Sequence, residues 1–120
     1  KNLSLLSRES SLEKLFSESF LVLNLSLPES CVETFGLTIL EAMAFSIPVI
    51  VPPVGGPSEL ITDGKEGYLM DSSDTDAIAE KIISLSRHTE ICLVLSKNAF
   101  QRSLDFSEKQ FNTKVLAAVD

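Results

Sequence analysis

Tryptophan is absent from this chain, tyrosine occurs once, and the two cysteines, Cys31 and Cys92, lie far apart without a CxxC partner. A disulfide framework or a zinc site is not expected, and a reducing, cytoplasmic setting fits better. Basic residues are outnumbered, 10 against 17 acids, giving a net charge of -7. That balance argues against nucleic acid held by general electrostatics. It leaves room for a local phosphate pocket, because backbone N–H groups bind anions whatever the net charge. No apolar run approaches the roughly 20 residues that a membrane span needs. His88 has no acid at ligand spacing, so closing a helix is its expected role. The chain opens at Lys1 with neither an initiator methionine nor a signal-peptide layout, which reads as an excised piece.

What is present suits one small globular domain: 120 residues, 44% of them hydrophobic. Residues 2–6 (NLSLL) read as a short strand, and Leu12, Leu15 and Phe16 then recur at helical spacing. The nearly continuous apolar run 20–25 (FLVLNL) has the pattern of a strand covered on both faces, and Pro28 ends it. A helix is expected over 36–46, from the spacing of Leu37, Leu40 and Ala44, with Pro48 forbidding its continuation. The β-branched 49–51 makes a third strand, Gly55-Gly56-Pro57 a loop, Asp63-Gly64 a turn and 67–70 a fourth strand. The last third is helical. One helix covers 75–86, with Ser73 and Asp76 resembling a capping box; a second carries Ile91, Leu95 and Ala99; a third is capped by Ser107 and runs through Phe111, Val115 and Val119. Strands alternating with helices predict an α/β domain, a Rossmann-like parallel sheet flanked by helices. Four strands are few for that architecture, so the sheet reads as incomplete on its N-terminal side.

In such sheets ligands bind outside the carboxyl ends of the strands. The loop 26–35 feeds the amino end of helix 36–46, where the N–H groups of Phe35, Gly36, Leu37 and Thr38 are available to an anion. Gly36 would let a ligand approach the backbone closely. Glu33 lies in the approach loop and Glu41 sits on the order of 8 Å along the axis from Gly36. Phosphate repels carboxylates, so these two acids should face neutral hydroxyls, such as the cis pair of a ribose or those of a sugar. A phosphate-ready backbone beside two hydroxyl acceptors describes a site for a nucleoside diphosphate sugar.

The E-x7-E pattern Glu33-Thr-Phe-Gly-Leu-Thr-Ile-Leu-Glu41, followed by EAMAFSIPVIVPPVGGPSELITDGKEGYLM, resembles the C-terminal, donor-binding half of GT-B-fold retaining glycosyltransferases of family four. The likeness runs from about residue 20 to residue 85 in unbroken order. It implies that residues 1–120 are part of a C-terminal donor-nucleotide-binding domain, with the first strands of that domain and the N-terminal acceptor domain absent. It further implies that Glu33 contacts the donor sugar, that Glu41 binds the ribose hydroxyls, and that amides around Phe35, Gly36, Leu37 and Thr38 hold the sugar and distal phosphate. Gly55 and Gly56 would border the same crevice, with Glu59 bracing their loop. No metal and no cofactor beyond the donor substrate are expected; the triplet Asp74-Thr75-Asp76 reads as helix capping.

Where the family has glycine in a left-handed turn, this chain has Ser46, which costs on the order of 1 kcal/mol if that conformation is kept. The loop SLPESCVE carries extra residues, which leaves the role of Ser30 open. The basic residues that grip the diphosphate in the family have no counterpart here, so the piece by itself is expected to be inactive. Its partners would be the nucleotide-sugar donor and the missing domain of the same chain, with room for peripheral membrane contact of the full-length protein. A bared sheet edge invites self-association. The rival class is a non-catalytic nucleotide- or protein-binding module of the same architecture; a sugar-nucleotide epimerase is a third, for which the expected catalytic histidine is not visible.

Overall fold

A computed structural model describes residues 12–25 and 36–106 of the chain. In chain order these are helix α1 (Leu12–Ser17), strand β1 (Val22–Leu23), helix α2 (Leu37–Ala44), strand β2 (Val49–Val51), a 3-10 turn (Gly56–Glu59), strand β3 (Gly67–Leu69), helices α3 (Thr75–Arg87) and α4 (Thr89–Ser103), and a second 3-10 turn (Leu104–Phe106). The three strands form one parallel sheet in the order β1-β2-β3, with Val22 opposite Val49 and the run Val49–Val51 opposite Gly67–Leu69. Parallel neighbours need a crossover, and α2 supplies the one between β1 and β2. The α/β reading holds. The expected strand at 2–6, the loop 26–35 and the helix begun at Ser107 lie outside the described residues.

The core follows from the alternation along β2, all of which is buried. Val49 and Val51 join one apolar cluster with Ile39, Leu40, Ala42 and Met43 of α2 and Ala99 of α4. Helix α2 packs directly on α4. The opposite face of the sheet carries Ile50 and its register partner Tyr68, where the Lys81 ammonium of α3 lies 4.1 Å from the Tyr68 ring centre. Burying a side chain such as Ile39 or Met43 completely, as here, stabilises by roughly 1.5–3 kcal/mol each.

Glycine at 67 is required by the sheet: a Cβ there would sit 1.8 Å from the Val49 carbonyl oxygen of the neighbouring strand. At the end of α2, Ser46 takes a φ of 62°. Its N–H donates to the Met43 carbonyl (2.9 Å), and the Ile47 N–H to the Ala42 carbonyl (3.1 Å). That pair of bonds is a Schellman ending, and it puts a serine where the left-handed turn favours glycine, as the sequence implied.

Three expectations need correction. The run 20–25 contributes a strand over Val22–Leu23 and is half-buried, because β1 stands at the edge of the described sheet. Helix α3 is capped by Asp74, whose carboxylate accepts the Ala77 N–H at 3.2 Å; Ser73 instead donates both its N–H and its hydroxyl to Asp71. On α4 the buried stripe is Leu95, Ala99 and Ser103, with Ile91 exposed, because the helix starts at the surface and dips toward α2 only in its second half.

Candidate functional site

The parallel strands bring two segments to the same end of the sheet: the amino end of α2, which follows β1, and the loop 52–57, which follows β2. Among the described residues no side chain caps α2. Gly36 stands at the cap position with φ 78° and ψ 43°, and the first N–H to close onto the helix is that of Leu40, 3.0 Å from the Gly36 carbonyl. The N–H groups before it have no partner within the helix and carry the positive end of its dipole.

Gly36 does not face open space on its side-chain side. A Cβ there would lie 3.0 Å from both Cα and Cγ of Pro57, so the missing side chain admits the loop rather than leaving a gap. Sequence reading assigned this glycine to ligand approach; its bare Cα is occupied by the 3-10 turn. That contact joins Gly36 to Gly55 and Gly56. Gly55 has φ 93°, a conformation that favours glycine, and its carbonyl accepts both the N–H (3.2 Å) and the hydroxyl (2.6 Å) of Ser58.

On α2 the buried positions Ile39, Leu40, Ala42 and Met43 turn inward, while Leu37, Thr38, Glu41 and Ala44 are exposed. With 3.6 residues per turn, Glu41 lies one turn from Leu37, in the middle of this open face. Leu37, Thr38 and Glu41 thus share the open face of α2, while the buried Gly36 meets the loop of Gly55 and Gly56 through Pro57. Glu33 and Phe35 lie outside the described residues. The side chain of Glu59 is exposed, and its carbonyl accepts a bond from Arg102 Nη2 at 3.3 Å.

Sequence reading passed over Pro57 and Arg102. Neither stands in a recognisable pattern: the Arg102 contacts reach more than 40 positions back along the chain, to the carbonyls of Glu59 and Leu60. A basic residue in a last turn reads locally as nothing more than a partner for the helix dipole.

The turn into α3 is self-contained. The Ser73 N–H and hydroxyl bonds hold the Asp71 carboxyl below the usual carboxylate range, and Asp74 is committed to its cap. Among the described residues no group of three His, Cys, Asp or Glu side chains is arranged to hold a metal ion, and no helix is long and apolar enough to cross a membrane.

The parallel sheet with flanking helices, three-stranded among the described residues, matches the C-terminal domains of GT-B glycosyltransferases in solved structures. The C-terminal domain of a glycosyl transferase group 1 family protein, LpcC of Francisella tularensis, superposes with a TM-score of 0.71 over 86% of this chain and 51% of that one, at 24% identity. HepE of Anabaena, solved in complex with UDP, superposes at 0.76 over 90% of this chain and 29% of that one, at 26% identity. The chain belongs to the glycosyl transferases group 1 family, whose pattern matches residues 2–102. Among curated relatives, the N-acetyl-alpha-D-glucosaminyl L-malate synthase of Bacillus anthracis is 34% identical over 113 residues, 94% of this chain. The GDP-mannose-dependent alpha-mannosyltransferase of Corynebacterium glutamicum is 45% identical over 64 residues, half of this chain. The chain spans 28% of the first of these relatives and 16% of the second.

Proposed function

We propose that this chain is the donor-binding part of a retaining, family-four-type glycosyltransferase, which moves a sugar from a nucleoside diphosphate sugar to an acceptor hydroxyl. The observation that carries the reading is the amino end of α2: formed by a left-handed glycine, without a side-chain cap among the described residues, and joined to a second glycine loop at the carboxyl end of a parallel sheet. Glu41 accepts the ribose hydroxyls, and Glu33 contacts the donor sugar. Amides of Phe35, Gly36, Leu37 and Thr38 hold the sugar hydroxyls and the distal phosphate, with Gly55 and Gly56 along the rim. As the glycosidic bond breaks, charge grows on the departing diphosphate, and fixed N–H donors at a helix terminus stabilise that charge. The leaving diphosphate assists removal of the acceptor proton, and no metal takes part.

Related chains support a nucleotide donor. HepE has been solved with UDP and with UDP-glucose, and the Corynebacterium relative is GDP-mannose-dependent. The acceptor site and the diphosphate-gripping basic residues belong to upstream parts of the same protein, so the piece described here is inactive by itself. A reducing, cytoplasmic setting suits Cys92, a free thiol that donates to the Leu85 carbonyl at 3.1 Å.

The test is a titration with uridine, guanosine and adenosine diphosphate sugars, following amide chemical shifts, in parallel with Glu41→Ala. The expected result is shifts over Gly36–Glu41 and Gly55–Gly56 with one nucleotide, lost in the variant. Glu41 is exposed, so the substitution should leave stability within about 0.5 kcal/mol. Binding in the full-length protein that is indifferent to Glu41→Ala would refute its assignment to the ribose. No binding of any donor by the full-length protein would favour the non-catalytic module.

A further inference from the structure

We propose that Arg102 is a positioning residue for the donor site, fixing the turn that follows Gly55 against the amino end of α2 from helix α4. The inference rests on the donor-site reading above. Arg102 lies in the last turn of α4 and spends each guanidinium nitrogen on a different partner. Its Nε donates to the Leu60 carbonyl at 3.0 Å, Nη2 to the Glu59 carbonyl at 3.3 Å, and Nη1 to the Asp105 carboxylate at 3.0 Å. The Phe106 ring lies under the guanidinium, 4.8 Å away. A planar fork held at three corners has little freedom to turn, which a lysine ammonium could not reproduce.

The two carbonyls that Arg102 takes lie at the end of the 3-10 turn, where a short helix runs out of N–H partners and where a cation is favoured. That turn is four residues long, from Gly56 to Glu59, and its second residue, Pro57, rests on Gly36. Contacts therefore form a closed ring. Arg102 holds the trailing end of the turn, Pro57 meets α2, and α2 packs on α4, the helix that carries Arg102. A second α4 side chain reinforces the attachment, since Asn98 Nδ2 donates to the Lys65 carbonyl at 2.8 Å, further along the same connection. With Arg102 removed, the Glu59 and Leu60 carbonyls lose their guanidinium donors, and the turn is left with Pro57 against Gly36 and the buried Leu60 side chain as its anchors. The short turn then opens more readily as a unit, and Gly55 and Gly56, which lead into it, are held less firmly at the rim of the proposed donor site.

The test compares Arg102→Met and Arg102→Lys with the parent in the full-length protein, by two readouts. Hydrogen–deuterium exchange is followed in peptides covering 55–62 and, as a reference, 75–87. Affinities for UDP, GDP and ADP are measured by calorimetry. In Arg102→Met the loop peptide should exchange about tenfold faster with the α3 peptide unchanged, and the affinity for the bound nucleotide should fall about tenfold. Arg102→Lys should recover part of both, since it can reach one carbonyl. Equal acceleration of both peptides, or no change in the loop, overturns the proposal, as does a loosened loop with undiminished affinity. If the parent binds none of the three nucleotides, the donor-site reading fails separately, and the exchange pattern still decides whether Arg102 holds the loop.

Discussion

Helices α2 and α3 both start at the carboxyl end of the sheet, yet their first turns are closed in different ways. Helix α3 satisfies itself: Asp74 accepts the Ala77 N–H, and Asp71 organises the turn before it. Helix α2 begins on a left-handed glycine with no side-chain cap among the described residues, and what meets it is Pro57 of the loop that Gly55 opens. An acid at the α2 terminus would satisfy the same N–H groups that a phosphate needs and would repel the phosphate as well. Two termini at one end of the same sheet thus differ: α3 is closed by its own carboxylate, whereas α2, among the described residues, rests its first glycine on a second loop.

Substitutions can break this contrast. The largest effect is expected for Gly36→Ala, which meets Pro57 at 3.0 Å and must hold a φ of 78°. It should cost about 2 kcal/mol in urea unfolding and should also weaken nucleotide binding. Asp74→Ala should cost about 1 kcal/mol by the same measurement and leave nucleotide binding unchanged, because that cap serves only its own helix. A loss of binding with Asp74→Ala would erase the distinction between the two termini. At the other end of α2, Ser46→Gly should raise stability by about 1 kcal/mol, since the serine is exposed and its φ of 62° is strained. The smallest effect concerns Asp71. Its carboxyl titrates below the ordinary value of 3.8 in the folded chain, so its contribution is present above that value and is lost as the pH falls through the lower folded one. Comparing acid unfolding of the parent with Asp71→Asn would check it; the variant should show a shallower loss of stability below about pH 4.

Much of the fold was legible because it is written locally. Pro48 ends α2, the β-branched Val49–Val51 gives the central strand, Gly64 supplies the turn with φ 85°, and His88 closes α3 with its N–H on the Leu85 carbonyl at 3.3 Å. The left-handed turn at Ser46 was implied by the family resemblance, in which glycine holds that position. Less legible were features decided by neighbours distant in sequence. Nothing around Gly36 announces that Pro57 will fill the space beside it, and nothing around Arg102 points to the carbonyls of Glu59 and Leu60. Ser73 and Asp74 compete for one cap within two adjacent positions; the carboxylate wins the Ala77 N–H while the hydroxyl turns back to Asp71. For the site, Leu37, Thr38 and Glu41 could be placed on one helix face from the 3.6-residue period, whereas the meeting of Gly36 with the loop of Gly55 depended on the crossover bringing two loops together.

The contact between Gly67 and Val49 also sets a limit on how this sequence can vary. Most positions on the sheet can trade one β-branched residue for another with modest loss. At position 67 the smallest possible side chain already overlaps a carbonyl oxygen of the adjacent strand. A saturation library selected for folded protein should therefore retain glycine there while Val51 and Leu69 drift among aliphatic residues. In that sense a single hydrogen atom governs the spacing of β2 and β3, and no partner substitution elsewhere can relieve a clash made by the backbone itself.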